Sequence, residues 1–199
     1  MQARVCALSA SLVPLWLRPG KRPLSSAALP PSVRTMSASH SIALVLVGDE
    51  LLSGRRRDKH LPHFAAVFAA RGLRLRQVWV IGDGRADVAR VLRDARRLDC
   101  PFICCGGIGA TPDDQTRQAA AEAFERPLRI HPDGQTLLES LYGERTYPHR
   151  IRMVEFPDGA ELIPNPVNQV PGFARDQCYF LPGLPEMAWP VAEWVLERQ

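Results

Sequence analysis

Residues 104–116, CCGGIGATPDDQT, link a predicted strand to a predicted helix. The apolar run at residues 101–105 leads into this segment and is typical of a buried strand. The Ala-rich run at residues 113–124 predicts a helix, with Thr111 as its N-cap and Asp114 at capping-box spacing from Thr111. The glycines between strand and helix permit positive φ angles and let a ligand approach the main chain closely.

A glycine-rich turn that opens a helix offers free N–H groups and the positive end of a helix dipole, which suits a phosphate. Carboxylates beside a phosphate repel it unless a divalent cation lies between them. We therefore expect Asp113 and Asp114 to hold Mg²⁺, Mn²⁺ or Co²⁺ next to a phosphate. A tight turn with a well-capped helix and no ligand fits the same residues. The expected phosphate-binding residues of this loop are Gly106, Gly107, Ile108, Gly109, Thr111 and Thr116.

The first half of the globular part alternates strands and helices. The apolar runs predict strands at residues 42–47, 73–81 and 102–105, and the helical patterns lie at residues 58–71, 86–98 and 113–124. This order predicts an α/β fold with three layers, α/β/α, around a mostly parallel sheet. Ligands of such folds bind at the carboxyl ends of the strands.

Two further turns at that edge of the sheet carry acidic residues. Asp83 follows the second predicted strand in Gly-Asp-Gly, which also fits an ordinary turn. Asp49 and Glu50 follow the first strand and suit either a ligand or the cap of a helical turn. The ligand-binding candidates after the first strand are Gly48, Asp49, Glu50 and Gly54.

The second half of the chain has a different pattern. A short helix is predicted at residues 135–141, and residues 151–156 and 160–163 flank a Pro-Asp-Gly turn, which predicts a β-hairpin. A Pro-rich loop at residues 163–173 precedes a strand at 177–181, and a helix at 186–197 follows.

The net charge of +4 arises from the N-terminal segment. No acidic residue precedes Asp49, and without the five basic residues up to position 36, 20 basic and 21 acidic residues remain, a net charge of −1. Residues 41–197 are therefore not basic, which disfavours nucleic acid as a partner. Residues 1–39 fit a transit peptide, a weak secretory signal or an extension upstream of a start at Met36, and we expect them to be disordered.

The five cysteines form no CxxC pair and no zinc-ligand spacing. Most of them lie in predicted strands, so we expect buried thiols in a reducing compartment, the cytoplasm. No apolar run is long enough for a membrane helix.

Four motifs in order resemble the MoaB/Mog molybdopterin-binding family, and most closely its CinA-type branch (the N-terminal domain of competence/damage-inducible protein A). The chain is also similar to the first domain of eukaryotic FAD synthases. The motifs are GDELLSG at residues 48–54, GGIGATPDDQT at 106–116, IPNPVNQVPGF at 163–173 and LPGLPEM at 181–187. Three positions depart from the family pattern: Ala110 and Asn168 replace a proline and a glycine, and His60 replaces an asparagine.

The resemblance implies a molybdopterin-type or nucleotide ligand and places Asp83 and Asp114 at the two acidic positions that the family uses around ligand and metal. It therefore makes both residues catalytic candidates in a metal-dependent hydrolase of dinucleotide pyrophosphates such as ADP-ribose or FAD. A non-catalytic binding module for molybdopterin or a nucleotide, or a scaffold with a vestigial site, fits the sequence as well. The resemblance also implies a dimer or trimer.

Overall fold

The computed structural model describes residues 40–198; the expected extension at residues 1–39 lies outside this range. The strands are β1 (Ser41–Val47), β2 (Arg74–Ile81), β3 (Phe102–Cys105), β4 (Leu128–Ile130), β5 (Glu155–Pro157), β6 (Glu161–Ile163), β7 (Gly172–Arg175) and β8 (Cys178–Leu181). The α-helices are α1 (Asp49–Leu52), α2 (His60–Ala70), α3 (Arg85–Arg96), α4 (Thr116–Phe124), α5 (Pro132–Tyr142) and α6 (Pro185–Leu196). The 3₁₀-helices Gly143–Thr146 and Arg150–Val154 follow α5.

The central sheet has the strand order β2-β1-β3-β8-β7-β6. β1 pairs in parallel with β2 and β3, and β3 pairs in parallel with β8. β1 is buried from Ile42 to Val47 because helices cover both faces of the sheet, and this explains its unbroken apolar run. The predicted parallel arrangement of the first three strands is confirmed.

Two hydrophobic cores lie on opposite faces of this sheet. One contains Val45 and Cys104 with buried side chains of α3 and α4. The other contains Leu44 and Ile103 with buried side chains of α2 and α6. Neighbouring residues of a strand enter different cores because side chains alternate across a sheet. The predicted three-layer α/β/α fold is confirmed.

The hairpin predicted between residues 151–156 and 160–163 is wrong in its pairing. The chain does turn at residues 158–159, but β5 pairs antiparallel with β4 in a separate two-stranded sheet. β6 pairs instead with β7, and β7 forms an antiparallel hairpin with β8. Of the loop predicted at residues 163–173, Ile163 ends β6 and Gly172 and Phe173 begin β7, so the loop itself spans residues 164–171.

Four parallel strands end at one edge of the central sheet, and the loops that follow them are in contact. The N–H of Gly48, after β1, donates to the carbonyl of Ile81 at the end of β2 (2.9 Å). The N–H of Gly106, after β3, donates to the carbonyl of Leu181 at the end of β8 (3.1 Å). The glycine-rich loop therefore lies between the loops after β1 and β8.

The cysteines of the described residues are free thiols. Cys104, Cys105 and Cys178 are buried, and burial raises the pKa of each thiol above its ordinary value. Between residues 40 and 198, no helix is both long and apolar enough to cross a membrane.

Candidate functional site

A cavity of about 680 Å³ opens at the carboxyl edge of the sheet. One wall is formed by residues 107–111 of the glycine-rich loop together with Asp114. A second wall consists of Tyr142, His149, Arg150 and Met153, and a third of Asn168, Val170, Pro171, residues 182–184 and Met187. Its volume lies within the range of about 300–1,000 Å³ that is usual for small-molecule sites.

Gly106 and Gly107 determine the backbone conformation of the glycine-rich loop. Their φ angles are +110° and +68°, a region that other residues rarely adopt. A Cβ atom on Gly106 would overlap the carbonyl oxygen of Val47, and one on Gly107 would overlap the hydroxyl of Thr116. The loop therefore lies directly on β1 and on the start of α4.

Four consecutive N–H groups of this loop, at residues 107–110, donate to no acceptor among the described residues. The flanking N–H groups are used: that of Gly106 donates to Leu181, and that of Thr111 donates to Asp114 Oδ2 (2.9 Å). Residues 107–110 all line the cavity. Because buried backbone donors normally have partners, a run of free ones on a cavity wall is a site for an acceptor such as an anion.

The predicted helix start at Thr111 is wrong. Residues 111–114 form a separate turn, in which Asp114 accepts from both the N–H and the hydroxyl of Thr111. The helix α4 begins only at Thr116, whose N–H donates to the carbonyl of Gly107 (2.9 Å). The carboxylate of Asp114 therefore stabilises the turn at the edge of the cavity and does not cap the helix.

Arg117, in the first turn of α4, holds the glycine-rich loop in place through its side chain. Its side chain is 2% exposed. It donates to the carbonyl of Gly109 (2.6 Å) and to that of Arg152 in the 3₁₀-helix, and its guanidinium lies 3.9 Å from the carboxylate of Glu155. Burial lowers its pKa, and the charges of Glu155 and Asp114 oppose that shift. Arg117 thus connects the first wall of the cavity to the segment that carries the second.

Asp83 lies outside this cavity, in a group of acidic side chains beside it. The Asp49 N–H donates to Asp83 Oδ2 (2.9 Å), and the Asp83 N–H donates to Asp49 Oδ1 (3.2 Å). Burial raises the pKa of Asp83, and the charges of Asp49, Glu50 and Asp113 raise it further. Glu50 also pairs with Arg56 at 3.4 Å. The structure thus brings together the acidic residues predicted after β1 and β2.

The acidic group fits a divalent cation only in part. Within residues 40–198, no three His, Cys, Asp or Glu side chains converge closely enough to hold an ion. Mg²⁺, however, is commonly held by one or two carboxylates together with phosphate oxygens of a ligand. The charge of Asp113 raises the pKa of Asp83, so these two carboxylates lie near each other, and with Asp114 next along the chain they match that smaller requirement.

The remaining predicted site residues lie around this centre. The hydroxyl of Thr116 is buried against Gly107 and has no hydrogen-bond partner in the described part of the chain. The side chain of Ile108 is buried in the core, and the residue also lines the cavity. Gly48 packs against the carboxylate of Glu50, whereas Gly54, at a φ of +72°, has open space around it.

The second wall of the cavity and Arg117 were not predicted from the sequence. The second wall comes from residues 142–153, which fold largely into 3₁₀-helices and lack helical or strand periodicity. The burial of Arg117 could have been predicted from the helical period. Arg117 precedes the buried Ala120 by three positions and the buried Phe124 by seven, so it lies on the apolar face of α4.

A three-layer α/β/α sheet with a ligand cavity at the carboxyl ends of its parallel strands defines a class of small-molecule-binding α/β domains. Within that class, residues 43–199 match a family model described as a probable molybdopterin binding domain. The chain belongs to this family.

Individual relatives agree with this assignment. A CinA-like protein of Geobacter metallireducens is 36% identical over 162 residues, which cover 77% of this chain and 39% of that protein. A CinA-like protein of Syntrophotalea carbinolica is 31% identical over 168 residues, or 80% of this chain and 41% of that protein. The chain therefore spans about two fifths of the length of these curated relatives.

Solved structures share the fold. The CinA protein of Thermoplasma acidophilum, whose function is described as unknown, superposes with a TM-score of 0.74 at 25% identity, covering 81% of this chain and 98% of that one. The molybdopterin biosynthesis enzyme MoaB of Thermus thermophilus superposes with a TM-score of 0.50 at 23% identity over 79% of this chain and 89% of that one. The resemblance to the MoaB/Mog family and its CinA-type branch is confirmed.

Proposed function

We propose that this protein binds a phosphorylated pterin or nucleotide in the cavity, with a phosphate on the N–H groups of residues 107–110. The observation that carries the proposal is the run of four free N–H groups on one wall of a cavity of about 680 Å³. Successive backbone N–H groups that point at one place bind anions without a charged side chain. The family's description as molybdopterin-binding and the relatives' names agree with this ligand class.

The other walls suit the remainder of such a ligand. Met153, Val170 and Met187 supply apolar surface, and methionine adapts to flat rings of different shape. Asn168, which replaces a glycine of the family motif, makes its own contacts: its side chain accepts from the N–H of Val170 (3.0 Å) and donates to the sulfur of Met187 (3.4 Å).

Metal-dependent hydrolysis of a dinucleotide such as ADP-ribose or FAD is the second candidate. The observation that favours it is the group of carboxylates that raises the pKa of Asp83. Asp113 and Asp114 would hold a divalent cation together with a ligand phosphate, since Asp114 lines the cavity and Asp113 is near enough for its charge to raise the pKa of Asp83. A bound cation would supply charge neutralisation and a more acidic water. Asp83 and Asp114 are the residues whose loss should affect turnover.

A ligand panel tests both candidates. The melting temperature is measured with ADP-ribose, FAD, NAD and molybdopterin, each with and without Mg²⁺, Mn²⁺ and Co²⁺, and products are analysed in the same samples. Binding without turnover supports a binding module, and products formed only with metal support hydrolysis. No stabilisation by any phosphorylated compound would overturn the proposal.

Asp114→Asn refines this test. It removes a charge and keeps the size, so we expect metal-dependent affinity or turnover to fall by at least about 10-fold, or about 1.4 kcal/mol. The stability should change by about 1 kcal/mol or less, because an amide oxygen can still accept from Thr111. Asp87→Asn, at an exposed carboxylate in the first turn of α3, is the matched control and should leave affinity unchanged.

We further propose that the chain assembles into a dimer or trimer in the cytoplasm. The exposed apolar side chains of Leu52 (60% exposed) and Val80 (40%), the latter on the edge strand β2, would then be covered. Light scattering coupled to size-exclusion chromatography measures the mass directly, and a monomer at every concentration would contradict the assembly.

A further inference from the structure

The second wall of the cavity carries Arg150, which has no carboxylate partner among residues 40–198. The guanidinium of Arg150 lies over the ring of Tyr142, 5.2 Å from its centroid, and its Nη1 donates to the carbonyl of Arg145 (2.9 Å). Among residues 40–198, this guanidinium forms no ion pair. Most of its N–H groups therefore remain available on the cavity wall.

The position of Arg150 is fixed relative to the loop. Arg150 begins a 3₁₀-helix whose Ile151 and Val154 side chains are buried. The carbonyl of Arg152 in the same helix accepts from Arg117, whose other terminal nitrogen donates to Gly109 in the loop. The 3₁₀-helix and the loop are therefore held at a set separation on two sides of one cavity.

We propose that Arg150, held on Tyr142, is a second anion-binding point of this cavity. The inference rests on the proposed function, because the first anion must lie on the N–H groups of residues 107–110. A ligand that carries a second anionic group beyond the first would contact both points. A ligand with a single phosphate would contact the loop alone.

The chemistry of the two sides supports this division. The loop offers neutral backbone donors, and the ionisable side chain on that wall is the carboxylate of Asp114, which repels a second negative charge. Arg150 on the second wall offers a planar fork of donors that matches phosphate and carboxylate oxygens. Stacking on Tyr142 restrains the guanidinium before the ligand arrives, so less side-chain entropy is lost on binding.

AMP and ADP form a matched pair of probes, because they differ by one phosphate. Affinities are measured by titration calorimetry with EDTA present, so that no metal ion contributes. The variants are Arg150→Gln, which removes the charge, Tyr142→Leu, which removes the ring, and Arg152→Gln as the control. Arg152 lies in the same 3₁₀-helix with an exposed side chain that does not line the cavity.

The wild-type protein should bind ADP more tightly than AMP. Arg150→Gln should weaken ADP binding by about 10-fold, equivalent to about 1.4 kcal/mol, and AMP binding by less than about 2-fold. Tyr142→Leu should weaken ADP binding by about 3-fold and AMP binding by a smaller factor, since the charge remains but is less restrained. Arg152→Gln should change neither affinity.

Two contrary results are distinguishable. If both nucleotides bind to the wild type and Arg150→Gln weakens them equally or not at all, the second anion-binding point is refuted and the proposed function stands. If neither AMP nor ADP binds, nucleotide binding itself is refuted, and the inference about Arg150 is refuted with it.

Discussion

Arg117 provides the sharpest test of how the loop is held. In Arg117→Met, the side chain keeps its length and apolar stem but donates no hydrogen bond. The carbonyls of Gly109 and Arg152 then lose the donor that they share. The loop should lose its fixed position even though no residue that lines the cavity has changed.

The expected loss of stability follows from two opposing contributions. Two hydrogen bonds from a charged donor contribute about 1.5–3 kcal/mol each. Methionine also removes the cost of desolvating the buried charge, which offsets part of this loss. The net loss should be about 2 kcal/mol, which corresponds to a fall in melting temperature of about 4–8 °C for a domain of this size.

Urea unfolding and AMP titration on the same preparations measure the two effects. AMP affinity should fall by at least about 10-fold, a change larger than partial unfolding explains at a temperature well below the transition. Arg117→Lys should recover part of the stability, since one ammonium group can still reach a carbonyl. If Arg117→Met leaves both the free energy of unfolding and AMP affinity within error of the wild type, Arg117 does not position the loop.

Three further predictions concern separate parts of the account. Gly107→Ala should destabilise the protein more than Gly54→Ala: both positions have positive φ, which costs about 1–3 kcal/mol for alanine, but only the Cβ at 107 meets a neighbour. Burial lowers the pKa of His131, so the unfolded state binds the proton first and the free energy of unfolding should fall as pH drops below about 6.5. His131→Asn, which keeps a cap for α5, should flatten this dependence in urea titrations at several pH values, and an unchanged slope would contradict the assignment. Removing residues 1–35 should change the melting temperature of the protein by no more than a few degrees. A larger drop, which would correspond to about 1 kcal/mol of stability, would show that these residues pack on the domain.

The elements that the sequence predicts well are those whose pattern depends on burial alone. The run from Ile42 to Val47 is apolar throughout because both faces are covered, and it could belong only to a central strand or a buried helix. Phe64 and Phe68 of α2 lie one turn apart on its buried face, as the helical period requires. Such signals do not depend on which partner the element meets.

The elements that were mispredicted depend on partners distant in sequence. The two arms beside Gly159 have the local pattern of a hairpin, but β4 and β7 supply better-placed partners for them. Thr111 and Asp114 have capping-box spacing, yet the Thr116 N–H donates to Gly107 and the N-cap of the helix is Gln115, four residues further along the chain. The spacing of Thr111 and Asp114 correctly predicts that their side chains form a hydrogen bond. It does not show that this hydrogen bond belongs to a separate turn and not to the helix.

The candidate site was predicted on one side only. The glycines and carboxylates stand out because they follow strands, whereas Tyr142 and Arg150 reach the cavity through a segment with no repeating pattern. Their proximity to the loop depends on the buried side chain of Arg117 and on the pairing of β5 with β4. Neither interaction can be read from the spacing of residues in the chain.

The proposed site depends on a phosphate that binds to the N–H groups of residues 107–110. Amide chemical shifts of uniformly ¹⁵N-labelled protein, followed during titration with AMP and then ADP, test it residue by residue. The largest shifts should occur at the amides of residues 107–110, whose N–H groups have no acceptor within residues 40–198, with a smaller shift at Thr111, whose N–H already donates to Asp114. Saturable binding that leaves these four amides unmoved and shifts resonances elsewhere would contradict the account.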